Sequence, residues 1–162
     1  MNFPAILNIL GHVIKYELLL LLIPFAVALF YGQGDASAFL YTILIMLPIS
    51  IILTRVKGKK KEIYAKEGFL TVGLAWIVIS FFGALPFVFN GAIPSFIDAF
   101  FETSSGFTTT GASILTEIQS LPKGILFWRS FTHWVGGMGF LIFILALMPS
   151  FGGNTIHLLK AE

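Results

Sequence analysis

The stretch that decides the fold is Pro94 to Ser113, PSFIDAFFETSSGFTTTGAS. Its opening, Pro94 to Ser104, reads as a short helix. Proline near the start suits a first helical turn, where its missing N–H is not needed. Asp98 and Glu102 fall four apart on one face, and Phe96, Ile97, Phe100 and Phe101 lie largely on the others. Eleven residues at about 1.5 Å each span roughly 16 Å, about half the hydrocarbon thickness of a bilayer. From Ser104 to Ser113 the chain is uncharged and rich in hydroxyls and glycine, and no acidic residue occurs from Thr103 to Thr116.

A half-length apolar helix followed by a glycine–threonine strand suggests a re-entrant pore hairpin. Non-helical backbone at membrane depth is tolerated only where it lines a watery cavity or is buried in protein. There its carbonyl oxygens can replace a cation's hydration shell. Glycine permits the backbone conformation that turns carbonyls inward, and threonine adds a hydroxyl ligand of the same hard-oxygen type. Acidic side chains in the strand itself would bind a cation too tightly for conduction. The preceding helix ends near the strand, so the negative end of its dipole points toward the ion. Asp98 and Glu102 either add a favourable potential at the outer mouth or form a solvated helix face. The competing reading of the whole stretch is a flexible extracellular loop, since Gly, Ser and Thr also make linkers. The half-length helix before the strand and the aromatic-headed segment after it favour the hairpin.

The rest of the chain supplies a membrane for such a hairpin. Of 162 residues, 57% are apolar in the wide sense and only 11% charged, with 18 Phe and 3 Trp. Soluble domains carry about a quarter charged residues, and a fold this small cannot bury so much apolar surface in water. Soluble enzymes, disordered chains and disulfide-stapled secreted domains are therefore poor fits. The absence of Cys removes thiol catalysis, cysteine zinc sites and iron–sulfur clusters. At about 20 residues per span, the length holds four spans at most plus one half-length segment. Four apolar stretches fit: Leu18 to Tyr31 (extensible back to Val13 by snorkelling Lys15), Phe39 to Leu53, Phe69 to Phe89, and Ile125 to Met148. The last opens with the aromatic band Phe127, Trp128, Phe131 and Trp134. A secretory signal peptide fits the first stretch less well, because no small-residue cleavage site follows and a second span comes within a few residues.

Arg55, Lys57, Lys59, Lys60, Lys61 and Lys66 sit between the second and third stretches, six of the ten basic residues in one short loop. Such loops stay cytoplasmic, which also places both termini inside and the 90–124 stretch outside. Binding nucleic acid or anionic lipid is the other use of a Lys cluster.

The run SSGFTTTGAS, then FWRSFTHWVGGMGFLIFILALMPSFGG, ending HLLKAE, closely resembles the first pore repeat of the Trk/Ktr potassium uptake family, TrkH-type membrane subunits. The resemblance covers essentially the whole chain, including the leading helix pair and the basic loop. It implies an all-α membrane protein. A transmembrane hairpin and basic loop (1–67) precede one pore repeat (68–162), made of an outer helix at about 68–90, a pore helix at about 94–104, a filter at about 108–113 and an inner helix at about 125–150. In the family, four non-identical repeats surround one potassium path. Carried over by position, Thr109, Thr110, Gly111 and Ala112 are this repeat's potassium-binding filter, with Thr108 just below and Gly111 at the key glycine. The resemblance further implies a bacterial inner-membrane protein that needs no cofactor and takes potassium as substrate. It also implies a cytosolic nucleotide-binding partner of the TrkA type. The gating loop of the third repeat, the basic residue of the last repeat and the other three filter strands have no counterpart here. Two leading helices and one quarter of a pore cannot enclose an ion alone: three further repeats or assembly of four copies is needed. A non-conducting membrane interaction protein or remnant is the competing outcome.

Other residues admit bland readings. Arg129 and His133, four apart, share a face near the outer end of the fourth stretch. Arg129 either pairs with Glu102 or Glu117 or snorkels beside Trp128 and Trp134. Gly136, Gly137 and Gly139 suit close helix packing, with a hinge as the alternative. His12 and His157 lack companions at metal-ligand spacing. Ser104 or Ser105 with His133 could be imagined as nucleophile and base, but no nucleophile elbow or oxyanion hole is present, and there is no Walker-type loop.

Overall fold

Hydrocarbon offers no water to backbone amides, so an apolar chain of this kind resolves into helices that satisfy their own hydrogen bonds. The computed structural model describes residues 2–56 and 65–147. These form α1 (Phe3–Tyr31), α2 (Ala36–Thr54), α3 (Ala65–Asn90), α4 (Phe96–Phe107) and α5 (Lys123–Leu147). Most of the basic loop, with Lys57, Lys59, Lys60 and Lys61, lies outside the described residues, as do Met148, His157 and Lys160.

Among the described residues, three helices are long and apolar enough to cross a membrane: Phe3–Tyr31, Ala36–Thr54 and Glu67–Asn90. Only 33%, 28% and 33% of their apolar windows are buried within the chain, so most of each faces outward, where water would be costly and lipid is not. Among the outward side chains are Leu19, Leu22, Phe30, Leu44 and Ile52. The expected fourth span corresponds to α5, whose 25 residues reach about 37 Å.

The helix α1 starts far earlier than the apolar stretch suggested, at Phe3 rather than Val13 or Leu18. Pro4 sits in the first turn, where it does no harm. Asn8 then ties the added turns to the end of α2, its side-chain amide donating to the carbonyls of Thr54 (2.7 Å) and Val56 (3.2 Å). Gly11 permits the contact, since a Cβ there would lie 2.7 Å from the Thr54 nitrogen. Tertiary partners, not hydrophobicity, extend this helix.

At the same end, the Asn2 amide donates to the Glu67 carboxylate at 2.6 Å, so the starts of α1 and α3 meet there. The opposite end carries the turn between α1 and α2, the turn into α4, and the start of α5. The α1–α2 turn caps α5. Gln33 Oε1 accepts from the Lys123 amide (2.7 Å), and Asp35 Oδ2 accepts from those of Gly124 (2.8 Å) and Ile125 (3.3 Å). Three of the four N–H groups that a helix start leaves unpaired are thereby satisfied from distant sequence.

The interior is built where α1, α3, α4 and α5 converge, around Leu18, Leu21, Phe82, Phe87, Phe107 and Trp128. Trp128 is fully buried and donates its indole N–H to the Gly83 carbonyl at 2.9 Å. Phe107 meets it edge-on, centroids 6.1 Å apart. Glu17 of α1 is buried in the same region, and neither of its carboxylate oxygens has a hydrogen-bond partner among the described residues.

Candidate functional site

The short helix α4 begins at Ser95, whose hydroxyl accepts from the Asp98 amide at 3.4 Å. It runs to Phe107, three residues beyond the end read from sequence. Ser104 and Gly106 are weak helix formers, but Thr103, Ser105, Gly106 and Phe107 are buried against neighbouring helices, and packing overrides propensity there. Gly106 abuts Thr132 of α5, and Gly136 of α5 abuts the Phe107 carbonyl, each so closely that no Cβ fits. Gly136 thus has the packing role expected of it. Gly137 is looser, with Thr109 as its nearest neighbour.

Residues 108–122 contain no helix or strand. Their first part is anchored to the end of α4. The amides of Thr108, Thr109 and Thr110 donate to the carbonyls of Ser104 (2.9 Å), Gly106 (3.0 Å) and Ser105 (3.0 Å). The Thr108 hydroxyl donates to the Ser104 carbonyl (2.7 Å) and meets the Thr110 hydroxyl at 2.8 Å. Thr109 has φ +56° and Gly111 φ +79°. Positive φ is routine for glycine but an outlier for a β-branched residue. Such a conformation costs of order 1–3 kcal/mol and persists only where surrounding structure holds it.

All five residues read as the filter, Thr108 to Ala112, are exposed. Among the described residues no hydrogen bond engages the carbonyl oxygens of Thr109, Thr110 or Gly111. Ala112 is the exception, because its carbonyl accepts the Ser105 hydroxyl at 2.6 Å. That oxygen holds this segment to α4 and leaves the carbonyls of Thr108, Thr109, Thr110 and Gly111 as the run with no hydrogen bond among the described residues.

The two acidic residues part company. Asp98 is half-buried in the first turn of α4, where a negative charge is favoured by the helix dipole. Glu102, expected either at an outer mouth or on a solvated face, is instead 2% exposed. Its carboxylate accepts from the Ser113 hydroxyl (3.0 Å to both oxygens), the Ile114 amide (3.0 Å) and Arg129 Nε (2.7 Å). Of the readings open for Arg129, pairing with Glu102 is the one realised. Snorkelling fails because a buried carboxylate lies in reach. Glu117 is exposed, and its carbonyl accepts the Ser120 hydroxyl at 3.1 Å.

No nucleophile–base pair forms: Ser105 gives its hydroxyl to Ala112, and His133 Nδ1 faces the Arg129 carbonyl at 3.0 Å. No cluster of His, Cys, Asp or Glu suited to a metal ion occurs among the described residues. Sequence reasoning missed Gln33 and Asp35 as caps of α5, and Ser105 and Ser113 as anchors of the strand. These pairings are set by tertiary fold, and no local motif announces them.

The fold defines a class: an all-α integral membrane protein in which a half-length helix is followed by an uncharged, non-helical segment that carries unpaired carbonyls. A family model described as cation transport protein, TrkH, matches residues 36–162. The chain belongs to that family. It is 42% identical, over its whole length, to the Trk system potassium uptake protein TrkH of Escherichia coli K12, covering 34% of that protein. It is 35% identical over 98% of its length to a cation transporter of Methanocaldococcus jannaschii, covering 33% of it. The crystal structure of the potassium transporter TrkH from Vibrio parahaemolyticus superposes with a TM-score of 0.86 at 34% identity, over 99% of this chain and 36% of that one. The chain therefore spans about a third of the length of the curated relatives it matches.

Proposed function

We propose that this chain contributes one filter strand of a potassium uptake pathway across the bacterial cytoplasmic membrane. Dehydrated potassium passes the backbone carbonyls of Thr109, Thr110 and Gly111, with Thr108 closing the strand below and Ala112 anchoring it above. The observation that carries this reading is the exposed run of backbone carbonyls from Thr108 to Gly111, none of them hydrogen-bonded among the described residues, between the end of α4 and the anchored Ala112. Unpaired carbonyls at membrane depth are costly unless water or an ion meets them, and a cation gains from oxygens already held in place. The end of α4 presents the negative pole of its dipole to the same place. Asp98 remains the acid suited to an outer-mouth potential. In this reading α5 is the inner helix and the α1–α2 turn lies outside, with both termini cytoplasmic by the basic-loop rule. Three further filter strands, from the same polypeptide or from other copies, complete the path. A cytosolic TrkA-type regulatory subunit is the partner that family resemblance suggests. The potassium ion is substrate, and no cofactor is invoked.

One strand encloses no ion, and that favours a second reading in which the chain alone is a non-conducting interaction protein or remnant. Both are tested in a potassium-uptake-deficient strain expressing the complete polypeptide that carries residues 1–162. Growth on low potassium, abolished by Gly111→Asp, supports the filter. Rescue unaffected by Gly111→Asp sinks the filter assignment, and absence of rescue by the wild type favours the remnant.

A further inference from the structure

We infer that Glu102 is a positioning residue that sets the geometry of the filter from behind, through Ser113 and Ile114, and is not a charge acting on the ion. The inference rests on the filter reading above. Three consecutive residues just past Gly111 are tied down. The Ala112 carbonyl is held by Ser105 (2.6 Å), the Ser113 hydroxyl by Glu102 (3.0 Å), and the Ile114 amide by Glu102 (3.0 Å). Ser105 and Glu102 are three apart on α4, so they share one face. Ser105 also accepts the Thr110 amide through its own carbonyl at 3.0 Å. One side of one helix therefore grips the chain both before and after Gly111, leaving few degrees of freedom to the carbonyls between.

The chemistry of the clamp favours holding over attracting. Both carboxylate oxygens of Glu102 are engaged by donors, and its side chain is 1% exposed. Removing a charge from water to that extent is offset only by a partner and further hydrogen bonds, and Arg129 Nε at 2.7 Å is that partner. The pair cancels its own long-range field, so neither member adds much potential at the mouth. Arg129 belongs to α5, and its link carries the clamp from the pore helix to the inner helix. Ser113 relays it further, since its oxygen accepts the Leu115 amide at 3.1 Å. Charge-assisted bonds of this kind are stronger than neutral ones, which suits a clamp opposing a strained strand with Thr109 at φ +56°.

The test measures potassium against sodium uptake at low and high ionic strength, with membrane abundance quantified, in the complete polypeptide carrying Glu102→Gln or Ser113→Ala. The clamp predicts that Glu102→Gln lowers the potassium-to-sodium uptake ratio roughly tenfold, and Ser113→Ala about two- to threefold. Both losses should persist at high salt. A mouth charge predicts instead a raised KM for potassium that vanishes as salt screens it, and that result overturns the proposal. So does an unchanged ratio in both variants at normal abundance. If Glu102→Gln fails to reach the membrane, Ser113→Ala decides alone, because it removes one hydroxyl from an exposed residue. Loss of uptake in Gly111→Asp with unchanged ratios in the other two would leave the filter standing and the clamp refuted. Normal uptake in Gly111→Asp would remove both.

Discussion

The adjacent glycines Gly136 and Gly137 of α5 make opposed predictions under the same substitution. A Cβ on Gly136 runs into the Phe107 carbonyl oxygen, with the carbonyl carbon at 2.6 Å and Cα at 2.8 Å. All three are backbone atoms of the last residue of α4, so no side chain can swing aside. Relief requires α5 and the end of α4 to separate by about an ångström, the scale on which overpacking costs about 1–3 kcal/mol. The separation also drags Thr108, the next residue, and with it the strand. On Gly137 the nearest atom to a new Cβ is Thr109 Cγ2 at 3.8 Å, an ordinary contact. There alanine should cost nothing sterically and add up to about 1 kcal/mol of helix propensity. Thermal unfolding of the purified protein in detergent, alongside potassium uptake in cells, reads both effects. Gly136→Ala should lower the melting temperature and impair uptake, and Gly137→Ala should hold or raise the melting temperature. Equal melting temperatures for the two variants would refute the close approach of α5 to the end of α4.

Three further substitutions test the scaffold. Asp35→Ala removes an acceptor of two amides at the start of α5 and should destabilise by about 0.5–2 kcal/mol, read as a lower melting temperature that Asp35→Asn partly restores. Trp128→Phe leaves the Gly83 carbonyl without its indole donor and should cost about 1–3 kcal/mol; hydrogen exchange around Gly83 and the melting temperature report it. Glu17→Met replaces a buried carboxylate whose oxygens have no partner among the described residues, so it should raise the melting temperature. A fall would show that Glu17 holds contacts the packing account omits.

The short helix and the non-helical segment after it were legible in the sequence because their constraints are local. Half-length spacing, the absence of charge from Thr103 to Thr116 and the position of Gly111 each leave a mark along the chain. The register proposed for the filter within that stretch comes from the family resemblance. Boundaries set by packing left no such mark. Phe107 is helical because Trp128 and Gly136 receive it, and α1 starts at Phe3 because Asn8 and Gly11 meet the end of α2. The role of Glu102 was the least legible. An acid on the same face as Asp98 looks solvated until Arg129, 27 residues on, and Ser113, 11 residues on, are brought to it. The capping of α5 by Asp35 joins residues 89 apart, beyond any motif.

The central claim is that potassium meets the carbonyls of Thr109, Thr110 and Gly111. Rubidium and thallium are heavier ions that substitute for potassium and can be located by anomalous X-ray scattering. Crystals of the complete, transport-competent polypeptide soaked in either ion should show a peak flanked by those three carbonyls and no peak at Glu102. Such crystals with no ion at Thr109 to Gly111, or with the ion bound at Glu102 instead, would contradict the account.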